Sequence, residues 1–86
     1  MKEIKMFMMD TCPHCKRALE LMEEIFIEHP EYRDIPLKKI DENIEPDYAY
    51  QFDYYYVPTF YVEEAKIHEG IPSKDDIKRV FMEASA

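Results

Sequence analysis

The stretch MFMMDTCPHCKRALELM, residues 6–22, holds the only two cysteines of the chain, Cys12 and Cys15. Two thiols with two residues between them can hold zinc, bind a soft metal, form a crosslink, or cycle between dithiol and disulfide. A structural zinc site needs four ligands, usually as two pairs. Here the second pair is missing: His14 lies between the cysteines, while His29 and His68 fall at a helix end and in a late strand. A crosslink this short closes a tiny loop and adds little chain-entropy stabilisation. Soft-metal binding remains a rival, because thiolates suit Cu(I).

Redox cycling asks for one activated thiolate and one resolving thiol. A thiolate at a helix N-terminus is stabilised by free backbone amides and by the positive end of the helix dipole. Such settings lower a cysteine pKa from about 8.5 to roughly 3.5–7.5. Cys12 sits where the chain enters the helix and gains most, whereas Cys15 lies one turn in, facing the sheet. Cys12 is thus read as the exposed nucleophile and Cys15 as the resolving thiol. A protonated His14 favours the Cys12 thiolate further.

The flanking elements must hold that pair. Glu3 to Met9 reads as a strand, with Ile4, Met6 and Met8 on one face and Lys5, Phe7 and Met9 on the other. Apolar character on both faces from Met6 onward marks it as central. From Pro13 to about Glu28, Ala18, Leu19, Met22, Ile25 and Phe26 fall at helical spacing. Thr11 is expected to cap that helix, Pro13 suits its first turn, and HisProGlu at 29–31 ends it. Residues 35–41 read as a second strand and Pro46 to about Phe52 as a short helix. ThrPheTyrVal at 59–62 and LysIleHis at 66–68 read as a hairpin turning through Glu63 to Ala65. Ser73 and Asp76 form a capping box before Ile77, Val80 and Phe81, the apolar face of a closing helix. The order β-α-β-α-β-β-α gives an α/β fold: a small four-stranded mixed sheet with three helices on both faces.

Eighty-six residues suit one domain, 1–86, and 47% hydrophobic with 14% aromatic residues is enough to build a core. A net charge of -8 argues against nucleic acid, whose phosphates would be repelled. The first ten residues carry Lys2, Glu3 and Lys5 and no small-residue cleavage site, and no segment suits a membrane span. A cytoplasmic monomer is therefore expected.

Strand, CysProHisCys, helix, and a later ValProThr at 57–59 together resemble the thioredoxin and glutaredoxin superfamily, over nearly the whole chain. CysProHisCysLysArgAla resembles the glutaredoxin CysProTyrCys followed by a basic residue, and its ProHis dipeptide is that of bacterial periplasmic disulfide oxidases. The resemblance implies the thioredoxin fold and a thiol–disulfide oxidoreductase with no bound cofactor and no metal. It implies a reacting loop of Thr11, Cys12, Pro13, His14 and Cys15. It also implies that Pro58 is cis and faces that loop, blocking metal, while the Val57 backbone pairs with an extended substrate. Copper carriers also hold CysXxxXxxCys between a first strand and helix, but in a different element order, and Asp10 stands where they have Met.

Several family residues are replaced. Thioredoxins have Trp before the first cysteine and a buried Asp six residues before it; here those places hold Thr11 and Met6. Glutaredoxins usually have Lys three residues before the first cysteine and a GlyGly pair that binds glutathione; here stand Met9 and GluGlyIleProSerLysAspAsp. The acidic chain also disfavours an anionic tripeptide, although Lys16 and Arg17 attract one locally. The expected partners are protein disulfides, with a reductase favoured over glutathione as electron donor. A glutathione-dependent glutaredoxin and a partner-binding dithiol module are the alternatives. In the tyrosine-rich run, Tyr48 and Phe52 are expected in the core and Asp53 in the left-handed conformation that Gly has in the family. Tyr54 is expected to point inward, and Tyr55 and Tyr56 to line a rim beside the cysteines.

Overall fold

A computed structural model describes residues 1–86. Strand β1, Ile4–Met8, runs parallel to β2, Leu37–Asp41, and antiparallel to β3, Thr59–Val62. Strand β4, Ala65–Glu69, pairs antiparallel with β3, so the sheet order is β2-β1-β3-β4. β1 is central, as its two apolar faces require. Helices α1 (Pro13–Glu28), α2 (Pro46–Ala49) and α3 (Lys74–Ser85) complete the fold. No helix is long and apolar enough to cross a membrane.

Alternation along β1 divides the core. Ile4 and Met6 point toward α1 and α3 and pack with Ala18, Met22, Ile25, Phe60, Val80 and Phe81, all buried. Phe7 points the other way and packs with Ile40, Ala49 and Tyr61, flanked by Tyr48, Phe52 and Tyr54. Each large side chain so buried contributes roughly 1.5–3 kcal/mol relative to exposure. Phe7 anchors the second layer: Phe52, Tyr54 and Tyr61 lie with ring centroids 4.7, 4.9 and 5.7 Å from it. The capping box forms as expected. The Asp76 N–H donates to Ser73 Oγ at 3.2 Å, and the Ser73 N–H to the Asp76 carboxylate at 3.0 Å.

Four expectations about the elements are corrected. Thr11 does not cap α1; the N-cap is Cys12, with no side-chain cap bond. The helix starting at Pro46 stops at Ala49, because the Gln51 and Phe52 amides reach back three residues, to Tyr48 and Ala49, and tighten the turn. Phe52 therefore leaves the helix yet keeps its ring 5.3 Å from Tyr48. Asp53 is not left-handed: the non-glycine residue with positive φ is Glu63, at 53°, in the β3–β4 turn. Side-chain donors hold the chain at Asp53 instead, with Tyr61 Oη 2.8 Å and Lys66 Nζ 3.3 Å from its carbonyl. Finally, a 3-10 turn at Pro30–Asp34 follows α1, and β2 starts at Leu37, because the Ile35 N–H is taken by the Tyr32 carbonyl at 3.2 Å and Pro36 has none to offer.

Candidate active site

The cysteines lie at the carboxyl end of β1, where the chain turns into α1. Asp41, at the matching end of β2, organises that turn: its carboxylate accepts the Asp10 N–H at 3.1 Å and the Asn43 N–H at 2.9 Å. The Cys12 N–H bonds the Met9 carbonyl at 3.0 Å, and Pro13 takes the first helical position. Proline suits that place, since its ring presets the helical φ and no amide is lost. Thr11, Pro13 and His14 are exposed.

Across from this turn, the Val57–Pro58 peptide bond is cis, and the Pro58 side chain is fully buried. Its carbonyl accepts the Gly70 N–H at 2.9 Å, and the Thr59 hydroxyl donates to the Tyr56 carbonyl, so the segment is held on both sides. The Cys12 thiol donates to the Val57 carbonyl at 4.0 Å. No other group of the protein bonds the Val57 carbonyl, and none bonds its N–H. Glu69, at the end of β4, accepts the Tyr55 and Tyr56 amides and pairs with Lys66, which fixes the approach to Val57. Tyr55 and Tyr56 are 86% and 70% exposed on that approach, while Tyr54 turns inward onto Phe7.

Cys12 is less open than its place at the helix start suggested. It keeps 9% of its surface, against 1% for Cys15, because the thiol faces the Val57 segment rather than solvent. Both are free thiols. Burial pushes the Cys12 thiol up, but the Cys15 amide, the Cys15 thiol and the His14 amide all hydrogen-bond its sulfur and leave the net pKa lowered. The His14 amide is a free donor of the first helical turn, while the Cys15 amide also reaches the Cys12 carbonyl at 3.1 Å. His14 reaches the sulfur through its amide, and its imidazole lies in solvent. Cys15 moves the other way, to about 12: burial raises it most, the Met9 amide lowers it, and the Cys12 sulfur and the Glu42 charge raise it.

Sequence reasoning missed Glu42. Its charge raises both thiols, and the Tyr54 hydroxyl donates to its Oε1 at 2.9 Å. One peptide group links it to the pair: the Met8 carbonyl accepts the Glu42 N–H at 3.0 Å, and the Met9 amide bonds the Cys15 sulfur. Glu42 directly follows β2, the parallel neighbour of β1, so the strand order was the available signal. Met6, where thioredoxins have a buried carboxylate, is fully buried in the core and offers no proton acceptor.

The sequence from residue 3 to 82 matches the thioredoxin family model. A search of curated proteins found no match. Among solved structures, oxidised thioredoxin from Plasmodium falciparum has a TM-score of 0.71 at 20% identity, covering 98% of this chain and 81% of that one. An uncharacterised thioredoxin-like protein from Clostridium perfringens gives 0.70 at 23% identity, covering 98% and 71%. Thioredoxin 1 from Thermosipho africanus TCF52B gives 0.56 at 24% identity, covering 98% and 99%. Identities this low speak for the fold. The family match runs over nearly the whole sequence and includes both cysteines, so the chain belongs to the thioredoxin family, whose members exchange thiols and disulfides.

Proposed function

We propose that the protein is a cytoplasmic, monomeric protein-disulfide oxidoreductase served by a reductase rather than by glutathione. The observation that carries this reading is the opposite displacement of two adjacent thiols, Cys12 down and Cys15 up to about 12. The Cys12 thiolate attacks one sulfur of a substrate disulfide, forming a mixed disulfide and releasing the other substrate sulfur as a thiolate. Cys15 then gives its proton to water or to the substrate thiolate just released, and attacks the Cys12 sulfur. The second substrate thiolate departs, and a Cys12–Cys15 disulfide remains. Two electrons have passed to the substrate. Val57 offers both of its main-chain groups to an extended polypeptide, as an added strand requires.

The reductase preference has local support. Glutathione carries two carboxylates, which need cationic or amide partners. Met9 supplies no charge, and Arg17 is engaged by Glu20 and Glu24 at 3.2 and 3.9 Å. Lys16 alone remains near the loop, within a chain of net charge -8. The deciding assay compares a thioredoxin-reductase-type donor with glutathione at equal protein concentration, at low and high salt. Faster turnover with the reductase is expected, with little deglutathionylation by Cys15→Ser. Rapid glutathione-dependent turnover that survives in Cys15→Ser would make the protein a glutaredoxin.

A further inference from the structure

On the α2 side of the sheet, Glu42, Pro46, Tyr50, Phe52, Tyr54 and Tyr55 line a groove of about 290 Å³. Its walls are aromatic and its one charge is negative. Glu42 takes part in no ion pair; its Oε1 holds the Tyr54 hydroxyl at 2.9 Å and its Oε2 has no partner within the protein. The cations of this face are already engaged: Lys38 sits over the Tyr48 ring at 4.5 Å, and Lys66 pairs with Glu69 at 2.7 Å. Glu45 and Asp47 flank Pro46 at the rim, and the chain carries eight net negative charges. Tyr50 is 88% exposed, so an incoming group meets a free ring face.

Aromatic faces beside an unpaired carboxylate form the environment that attracts a guanidinium or an ammonium, by cation–π contact and charge-assisted hydrogen bonding. An anion would be repelled. The groove also connects to the dithiol. Glu42 bonds the end of β1 through its N–H, and Tyr55 lies two residues before Val57, whose carbonyl faces Cys12. An extended chain advances about 3.3 Å per residue, so two or three residues span roughly 7–10 Å.

We propose that this groove binds an arginine or lysine side chain of the substrate polypeptide, two or three residues from the cysteine that Cys12 attacks. The proposal rests on the protein-disulfide reading and supplies its substrate class: disulfides flanked by basic residues. A substrate cation there lies against Glu42 and the Tyr50 ring.

The test uses three peptides, each a mixed disulfide with the same chromogenic aromatic thiol. Arg, Gln or Glu stands at the positions two and three residues to either side of the cysteine. In the wild-type protein, kcat/KM for the Arg peptide should exceed that for the Glu peptide roughly tenfold at low salt and less at high salt. The Arg-to-Glu ratio, taken within each protein so that general losses cancel, should collapse toward one in both Tyr50→Ala and Glu42→Gln. A ratio near one in the wild type, or one that neither substitution lowers, overturns the proposal. Turnover of none of the peptides would instead defeat the oxidoreductase reading. Titrating nitrogen-15-labelled protein with the Arg peptide carrying Ser for Cys then decides the groove: shifts centred on the Tyr50 and Tyr54 amides support it, and their absence overturns it.

Discussion

Limiting iodoacetamide at pH 7 should label Cys12 and spare Cys15, by a margin the structure sets. A thiol titrating at about 12 is deprotonated at pH 7 to about one part in 10^5, whereas one below 9.0 exceeds about one part in 10^2. Thiolate population alone thus favours Cys12 at least about 10^3-fold. Intrinsic nucleophilicity opposes this, because the more basic thiolate attacks faster. A Brønsted slope of 0.4–0.5 over three units returns about 15- to 30-fold to Cys15. Population wins, and about 30-fold selectivity or more remains before access is counted. Access adds to it, since Cys15 keeps 1% of its surface and Cys12 9%. Peptide mass spectrometry after sub-stoichiometric labelling reads the ratio, and the rate of Cys12 labelling against pH should inflect below 9.0. Equal labelling, or label mainly on Cys15, would refute both the pKa ordering and the assigned roles.

Glu69→Gln should lower stability near neutral pH and loosen the Tyr55–Val57 approach. Glu69 titrates at about 2, held down by Lys66 and the Tyr55 and Tyr56 amides. Its contribution is complete above 4.5 and fades as pH falls toward 2, so wild-type and variant denaturation midpoints should converge over that window. His14→Gln keeps the main-chain amide and removes only the imidazole; a rise in the Cys12 inflection, read by thiolate absorbance, measures the side chain's contribution, and unchanged curves would leave it none. Phe7→Ala removes the ring around which Phe52, Tyr54 and Tyr61 gather, and should cost about 3–5 kcal/mol in denaturant titration. A loss under about 1 kcal/mol would show that the second core layer does not depend on it. S-methylation of Cys12 should bring the Cys15 titration below its value of about 12; an unchanged value would mean that burial and the Glu42 charge raise it without help from Cys12.

Periodicity carried most of the fold. Strand β1, helix α1 from Pro13 to Glu28, strand β3 and the α3 capping box are each fixed by neighbours in sequence, and each forms where that pattern puts it. Misreadings fall where tertiary contacts decide. Family likeness gives Asp53 the left-handed conformation, but Tyr61 and Lys66, from β3 and β4, reach its carbonyl and hold the chain another way. Helix α2 is one turn long because its partners are the rings of β1 and β3, which no local pattern reveals. Cys12 and Cys15 were legible from spacing, and Val57 and Pro58 from the ValProThr motif. Glu42 was not, since its importance comes from the parallel pairing of β1 with β2, which sets two strand ends side by side.

That placement bears on the order of the two chemical steps. While Cys12 is a thiolate, its charge and its hydrogen bond with Cys15 keep the inner thiol protonated and silent. Once Cys12 is bonded to a substrate sulfur, it carries no charge, and both of those causes vanish. Burial and the Glu42 charge then remain as the forces holding the Cys15 proton. A basic side chain in the Tyr50–Tyr54 groove would offset the Glu42 charge and lower that remaining barrier further. In this scheme resolution follows attack, and a cationic substrate in the groove would favour it most. With Met6 offering no proton acceptor, the Cys15 proton must leave to water or to the substrate thiolate released in the first step, so that second step is paced by how far the local charges let the inner thiol ionise.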